Sequence, residues 1–140
     1  MNLAWRLSHS SRYSLVFSFS RSIVATSMNP VEAGLYTKLT GASGLTALLA
    51  AGTASVFSHL APEQANTPYV VFNPQSPSVP IATMGGTAGG VKFENAVYQV
   101  KAVTGASSAA SAGTIADQID SALADQTLTV TGYTHHLCRR

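Results

Sequence analysis

Apolar residues recur at helical spacing directly after residue 28. Val31, Leu35 and Leu39 lie four positions apart and predict a helix over about Pro30–Thr40. A second short helix is predicted over Ser43–Ala51, because its leucines fall on one face and a glycine follows it. Helices of this length are not stable alone, so both are expected to pack against another part of the chain.

Alternation of apolar and polar residues predicts the strands. It is clearest in Lys92–Thr104, where Tyr98 and Val100 point one way and Gln99 and Lys101 the other. Four shorter segments predict further strands: Val56–Leu60, Tyr69–Phe72, Thr127–Thr131 and Tyr133–Cys138. A sheet with one polar face is therefore expected beside the helices.

The longest helix is predicted over about Ser108–Ala124. Its apolar residues form one stripe: Ala112, Ile115, Ala116, Ile119, Ala122 and Leu123. The predicted order is ααββ–loop–βαββ, an α+β fold in which a short helical hairpin and one longer helix pack on a mainly antiparallel sheet of four to five strands. No repeated βα pattern is present, which disfavours a doubly wound nucleotide-binding fold.

Residues 74–91 show no periodic pattern, and their three prolines and four glycines predict a long loop or the tip of an extended hairpin. Gly85 and Gly90 have the five-residue offset of a phosphate-binding P-loop. Val91, however, stands where that motif requires lysine, and Lys92 comes one position late. The glycines therefore predict a loop without phosphate chemistry.

Charge and composition narrow the possible functions. Only 10% of the residues are charged and 46% are hydrophobic, which suits either a surface covered by other subunits or a small protein with a Ser/Thr surface. From Met28 onward five basic residues face six acidic ones, a net charge of −1. No basic stripe indicates direct nucleic-acid recognition, and no apolar run reaches the ~20 residues of a membrane span.

The first 27 residues form a separate segment, rich in serine, with three arginines and no acidic residue. Three interpretations remain open: a start codon assigned too early or a disordered arm, a cleavable targeting peptide, and a functional arm. Met28 precedes a well-formed helix start, in which Asn29 can cap, Pro30 suits the first helical position and Glu32 sits three residues after the cap. The predicted domain is therefore 28–140, with 1–27 outside it.

No catalytic or cofactor-binding constellation emerges from the residue pattern. His135, His136 and Cys138 are the only cluster that resembles a metal site, and on a strand at most two of them share a face. Cys138 is the only cysteine and lies near the end of the chain. Asp117 and Asp120 share a solvent-facing stripe of the long helix and are predicted to be solvated charges. We therefore expect no enzyme, no metal and no cofactor.

Six segments, in order and with suitable spacing, resemble the tail-completion family of long-tailed phages. They are Leu35-Tyr36-x-x-Leu39, Leu45-Thr46-Ala47-Leu48, Ala61-Pro62-Glu63, Pro68-Tyr69-Val70-Val71-Phe72, Tyr98-Gln99-Val100 and Ile115-Ala116-Asp117-Gln118-Ile119. The resemblance covers Met28 to about Arg140. Similar proteins continue with another strand beyond the position of Arg139-Arg140, which suggests a shortened or frame-shifted end here, or a last strand supplied otherwise. An unpaired edge would then invite pairing with a neighbouring chain.

The resemblance implies a virion structural protein of the phage tail or neck, assembled in the host bacterial cytoplasm. Its partners would be copies of itself in a ring, typically a hexamer, the tail-tube protein and the head–tail connector protein. The ring would end tail-tube polymerisation and join the tail to the head. The candidate assembly interface lies in the glycine-rich segment and its flanks: Pro80, Met84, Gly85, Gly86, Gly89, Gly90 and Lys92.

Two other functions stay open at this point. The chain could be a head–tail connector component, a rival within the same class of virion parts. It could also be a small soluble, non-enzymatic binding module whose targeting presequence is removed in an organelle. A ring of about six subunits would favour the tail protein, whereas a strict monomer at high concentration would favour the binding module.

Overall fold

Two long strands form the centre of the fold. In the computed structural model, β3 (Tyr69–Ile81) and β4 (Lys92–Thr104) pair antiparallel, from Tyr69 opposite Val103 to Ile81 opposite Phe93. The structure describes residues 9–21, 29–81, 92–105, 109–131 and 134–139. The alternating residues of β4 suit a strand whose two faces meet different surroundings.

Three further strands complete the sheet, whose order is β2-β3-β4-β1-β5. Strand β1 (His9–Arg21) lies between β4 and β5 (Thr134–Arg139) and runs antiparallel to both. Strand β2 (Val56–Ser58) lies at the opposite edge and runs parallel to β3. The sheet is therefore mixed.

The helices cover one side of this sheet. They are α1 (Asn29–Gly41), the single-turn α2 (Ser43–Thr46) and α3 (Ala109–Leu123), and a 3₁₀ turn at Gly52–Ser55 leads into β2. The buried residues of α3 recur every three or four positions, which is the stripe that a helix presents to a sheet. The helices contribute Val31, Leu35, Leu39, Leu45, Ile115, Ile119 and Leu123 to the core.

The sheet meets these helices with one set of alternate residues. Val70 and Phe72 of β3 are buried, as are Tyr98, Val100 and Ala102 of β4. These side chains and the helical stripe form one continuous hydrophobic cluster. The fold thus has two layers, with all its described helices on one face of the sheet.

The predicted order ααββ–loop–βαββ is wrong, although the α+β class holds. A strand, β1, precedes the first helix, and Thr127–Thr131 contributes a single bridge at Val130 in place of a strand. The sheet is also mixed where a mainly antiparallel one was expected, since β2 pairs in parallel. Strand β2 follows the 3₁₀ turn directly.

Over residues 74–81 the loop alternative is wrong, because β3 continues to Ile81. The other alternative, an extended hairpin, agrees with the antiparallel pairing of β3 and β4, and residues 82–91 lie outside the described residues. Three prolines, Pro74, Pro77 and Pro80, lie within β3. The register with β4 shifts twice, between Pro74 and Ser76 and again between Ser76 and Val79. Proline has no N–H to donate, and bulges of this kind let a strand accept it.

Part of the segment predicted to lie outside the domain, His9–Arg21, runs within the sheet as β1. Its register places Tyr13 opposite Val100, Leu15 opposite Tyr98 and Phe17 opposite Ala96. The interpretations of residues 1–27 and the domain start at Met28 remain predictions.

Candidate assembly surface

Two of the predicted interface residues, Pro80 and Lys92, lie at the far end of the β3–β4 hairpin. Pro80 is in β3 opposite Glu94, and Lys92 is the first residue of β4, opposite Arg21 of β1. The remaining predicted residues fall outside the described part of the chain: Met84, Gly85, Gly86, Gly89 and Gly90. The hairpin therefore brings Pro80 and Lys92 to neighbouring strands, and their role in assembly stays a prediction.

The side of the sheet that faces away from the helices carries large apolar residues. We call it the open face, and its described side chains are Phe57, Tyr69, Val71, Asn73, Gln75, Val97, Gln99, Lys101 and Val103. Most of them are partly exposed, and no helix of the described residues packs on them. A solvated sheet face normally alternates to polar residues, so five apolar side chains among nine are unusual.

An aromatic pair lies at one edge of the open face, where β2 meets the start of β3. The rings of Phe57 and Tyr69 meet edge to face, with centroids 5.8 Å apart and an interplanar angle of 75°. Val71 lies opposite Lys101, and Tyr69 lies opposite Val103. Lys101 therefore places its charge within an apolar surface, and its methylene groups can cover the neighbouring valine.

Sequence reasoning predicted only the polar members of this surface, Gln99 and Lys101. Val97 lies two positions before Gln99, and Val103 lies two positions after Lys101. The alternation along β4 could therefore have predicted that both valines lie on the same face as these polar residues. Phe57 could not be assigned to the open face from the sequence, since its position depends on the parallel pairing of β2 with β3.

The opposite surface of the molecule, over the helices, contains a groove of about 970 Å³. We call it the helical groove. It is lined by small or hydroxyl-bearing residues with few exceptions: Pro30, Ala33, Gly34, Thr37, Lys38, Gly41, Ala42, Ser43, Gly44, Gln118, Ser121, Ala122, Gln126, Thr127, Thr129 and Thr131. The long side chains among these residues are Lys38, Gln118 and Gln126.

Two glycines set the walls of the helical groove. A Cβ added at Gly34 would lie 2.9 Å from the backbone oxygen of Thr129 and 3.1 Å from Cγ2 of Val130. A Cβ at Gly44 would collide with the side-chain amide of Gln118. Because glycine has no Cβ, α1 can lie close to residues 127–131 and α2 can lie close to α3. Gly41, by contrast, has open space where its Cβ would be.

Few charges surround the helical groove. Lys38 of α1 lines it and is partly exposed. On the α3 side the groove is lined by Gln118, Ser121 and Ala122, and the hydroxyl of Ser121 donates to the carbonyl oxygen of Asp117 at 2.9 Å. No acidic side chain is among the described residues that line the groove.

A small polar cluster joins α1 to the end of β2. Glu32 pairs with Nε2 of His59 at 3.1 Å, and the hydroxyl of Ser58 donates to the same carboxylate at 3.3 Å. Tyr36 borders a shallow pocket beside this cluster. Burial, and then the negative charge of Glu32, raise the pKa of Tyr98 in the core below. These polar contacts link the end of β2, the edge strand, to α1.

Cys138 is buried in β5, where the sulfur meets the hydrophobic core. Burial, and then the carboxylate of Asp125, raise the pKa of the Cys138 thiol to about 11. The thiol is protonated at neutral pH and is a poor nucleophile or metal ligand. Among the described residues, no group of three or more His, Cys, Asp and Glu side chains could hold a metal ion.

Within the described residues no helix has the length and hydropathy needed to cross a membrane.

Comparison with known proteins defines the family. No curated protein and no solved structure matches the chain significantly. The family described as Tail completion protein gp17, however, matches residues 33–139, which extend from the first turns of α1 to the end of β5. The chain therefore belongs to this phage tail completion family, a family of structural proteins.

Proposed function

We propose that the protein assembles into a ring at the head-proximal end of the phage tail. There it would stop tail-tube polymerisation and provide the surface that joins the tail to the head connector. A hexamer is the proposed ring size, and assembly would occur in the host bacterial cytoplasm before the ring becomes part of the virion.

The family match over residues 33–139 is the observation that carries this proposal. A ring subunit uses two different surfaces, because a head-to-tail contact joins unlike surfaces and forms a ring when the rotation between copies closes. The open face and the helical groove are two unlike surfaces on opposite sides of the fold. A charged fraction of 10% also suits a protein whose surface is covered by neighbours.

The hairpin end is the proposed contact to the tail-tube or connector protein. Pro80 and Lys92 lie on adjacent strands there, away from the core positions Phe72 and Tyr98. Residues so placed can contact a partner without disturbing the hydrophobic core. Met84, Gly85, Gly86, Gly89 and Gly90 belong to the same proposed contact by their position in the sequence.

Removal of the coding sequence from its phage, followed by electron microscopy of the particles, tests this function. We expect filled heads without tails, and tails that are unattached or irregular in length. Addition of the purified protein to this lysate should restore joined particles. Normal numbers of joined, infectious particles without the protein would contradict the proposal.

A further inference from the structure

We infer that the sheet contains a strand-binding slot between β4 and β5, and that its ligand is the segment His9–Arg21 of this chain. The region that matches the family, residues 33–139, includes β2 to β5, whereas β1 lies outside it. The family domain is thus completed by a strand from the N-terminal segment. Of the interpretations of residues 1–27, this is the functional arm, and it does not depend on the proposed ring.

Both walls of the slot are held by contacts that do not involve β1. Strand β4 pairs with β3 along its length. Strand β5 is attached to the end of α3, because the backbone N–H of Asp125 donates to the carbonyl oxygen of Cys138 at 3.2 Å and Cys138 lies in the core. Adjacent strands lie about 4.8 Å apart, so the walls stand about 10 Å apart, which is the room that one strand needs.

The slot requires a peptide backbone as its ligand. The edge of β4 that faces β5 is a row of backbone N–H and C=O groups, and α3 packs on this part of the sheet, since it contacts both β4 and β1. Backbone groups in such a place need hydrogen-bond partners, which an added strand supplies in a row. Strand β1 pairs with β4 over all of its 13 residues, and over Val16–Ser20 it also pairs with β5.

The alternation of the segment selects its register. Leu15 is opposite Tyr98 of the buried face, and Ser14 is opposite Gln99 of the open face. Directly opposed residues of an antiparallel pair share a face of the sheet. A slip by one residue would exchange the two sets and place serine positions on the core face. The slot therefore distinguishes this segment from an extended peptide without alternation.

The sizes of the opposed residues also match. Phe17 is opposite Ala96 of β4 and opposite Cys138 of β5. Both neighbours are small, and each is only 1% exposed. A large residue between two small ones satisfies the close packing of a protein interior.

Hydrogen exchange of the full-length chain, followed by NMR, tests whether the slot is filled. Alternate residues of β4 direct their amides to β3 and to β1. We expect both sets to be protected to a similar degree. Rapid exchange of the set on the β1 side, with slow exchange on the β3 side, would overturn the inference because the slot would then be empty.

Two neighbouring residues supply a matched test of the register. Leu15→Glu introduces a carboxylate at a position of the core face and should speed the exchange of the amides on the β1 side at least about tenfold. Ser14→Glu introduces the same group at a position of the open face and should change this exchange by less than about twofold. Circular dichroism verifies that the helices of both variants are folded. Equal exchange in the two variants would overturn the inference.

The register also contains a repulsion that can be reversed. Arg12 is opposite Lys101, and like charges in this arrangement weaken strand pairing. Lys101→Glu should therefore slow the exchange of the amides on the β1 side by about two- to fivefold, the range expected for a cross-strand charge pair. An unchanged or faster exchange would contradict the register on which the inference rests.

The mass of the protein made from its own gene tests whether the arm is retained. Mass spectrometry of the purified protein should find residues 9–21 still attached. A protein that begins after Arg21 and still restores joined particles would overturn this inference and leave the proposed function intact. A full-length protein with a protected β4 that fails to restore joined particles would overturn the proposed function alone.

Discussion

The two faces of the sheet differ in what covers them. On the helix side of β4, Tyr98, Val100 and Ala102 are fully buried. On the open face of the same strand, Val97 and Lys101 remain partly exposed. Both faces carry apolar residues, yet the described part of the chain supplies helices for only one of them. In an assembly of several copies, a neighbouring subunit can cover the open face.

This difference assigns separate roles to the two faces. Burial of apolar surface within the monomer stabilises the fold, while burial of apolar surface between copies would stabilise the proposed ring. Substitutions on the helix side should therefore lower folding stability, and substitutions on the open face should mainly change association.

The largest effect is expected in the core. Ile119→Ala removes a fully buried side chain of α3 and should lower the free energy of unfolding by about 2–5 kcal/mol. Val71→Ala on the open face should cost about 1 kcal/mol or less in the monomer, since its surroundings can adjust. Urea denaturation measures both. Equal losses would mean that the open face belongs to the core of the monomer.

A smaller loss is expected at the wall of the helical groove. Gly34→Ala forces the Thr129 backbone away and should cost about 1–3 kcal/mol. Gly41→Ala has open space and should be neutral or stabilising by up to about 1 kcal/mol, because alanine favours the helix. Thermal denaturation of the two variants compares them directly. A neutral Gly34→Ala would show that α1 does not pack closely on residues 127–131.

Alkaline pH tests the burial of β5. The pKa of Cys138 rises from its ordinary value of 9.0 to about 11, so the folded state holds this proton more tightly than the unfolded state. Its contribution to stability is present below pH 9 and is lost as the pH rises through about 11. Urea denaturation between these pH values should show falling stability, with a shallower slope in Cys138→Ala. Identical slopes would place the thiol in contact with water.

The smallest effect is expected at the edge strand. The Glu32–His59 pair is solvent-accessible, with 59% of the His59 side chain exposed. A double-mutant cycle with Glu32→Gln and His59→Gln should give a coupling energy below about 1 kcal/mol. Raising the salt concentration should reduce it further. A coupling of several kcal/mol would indicate that the cluster is buried in solution, for example by a neighbouring copy.

The elements with strong internal periodicity were predictable from the sequence. Strand β4 follows its alternation over Lys92–Thr104, and α3 follows its apolar stripe over Ala109–Leu123. The extension of β3 was not predictable, because its prolines normally interrupt strands and only the pairing with β4 shows the bulges that accept them. Thr127–Thr131 alternates like a strand, yet it packs against α1 at Gly34.

The sequence of β1 has the residue spacing of a strand, but the composition of residues 1–27 favoured a different interpretation. Tyr13, Leu15, Phe17 and Phe19 recur at every second position, the spacing of a strand. Arginine, serine and the lack of acidic residues favoured a targeting peptide or an arm. Of the proposed interface, the sequence indicated the glycine-rich segment, whereas the groove and the open face depend on contacts between distant segments, which local patterns do not contain.

The molar mass of the wild-type protein and of Val71→Glu, measured side by side by light scattering, tests the division between the two faces most directly. The introduced carboxylate would face Lys101 across the strands and pair with it, so the monomer should stay folded with a similar melting temperature. The wild type should form a ring of several subunits, and the variant should be a monomer. The same molar mass for both proteins, at equal melting temperature, would contradict this division of roles.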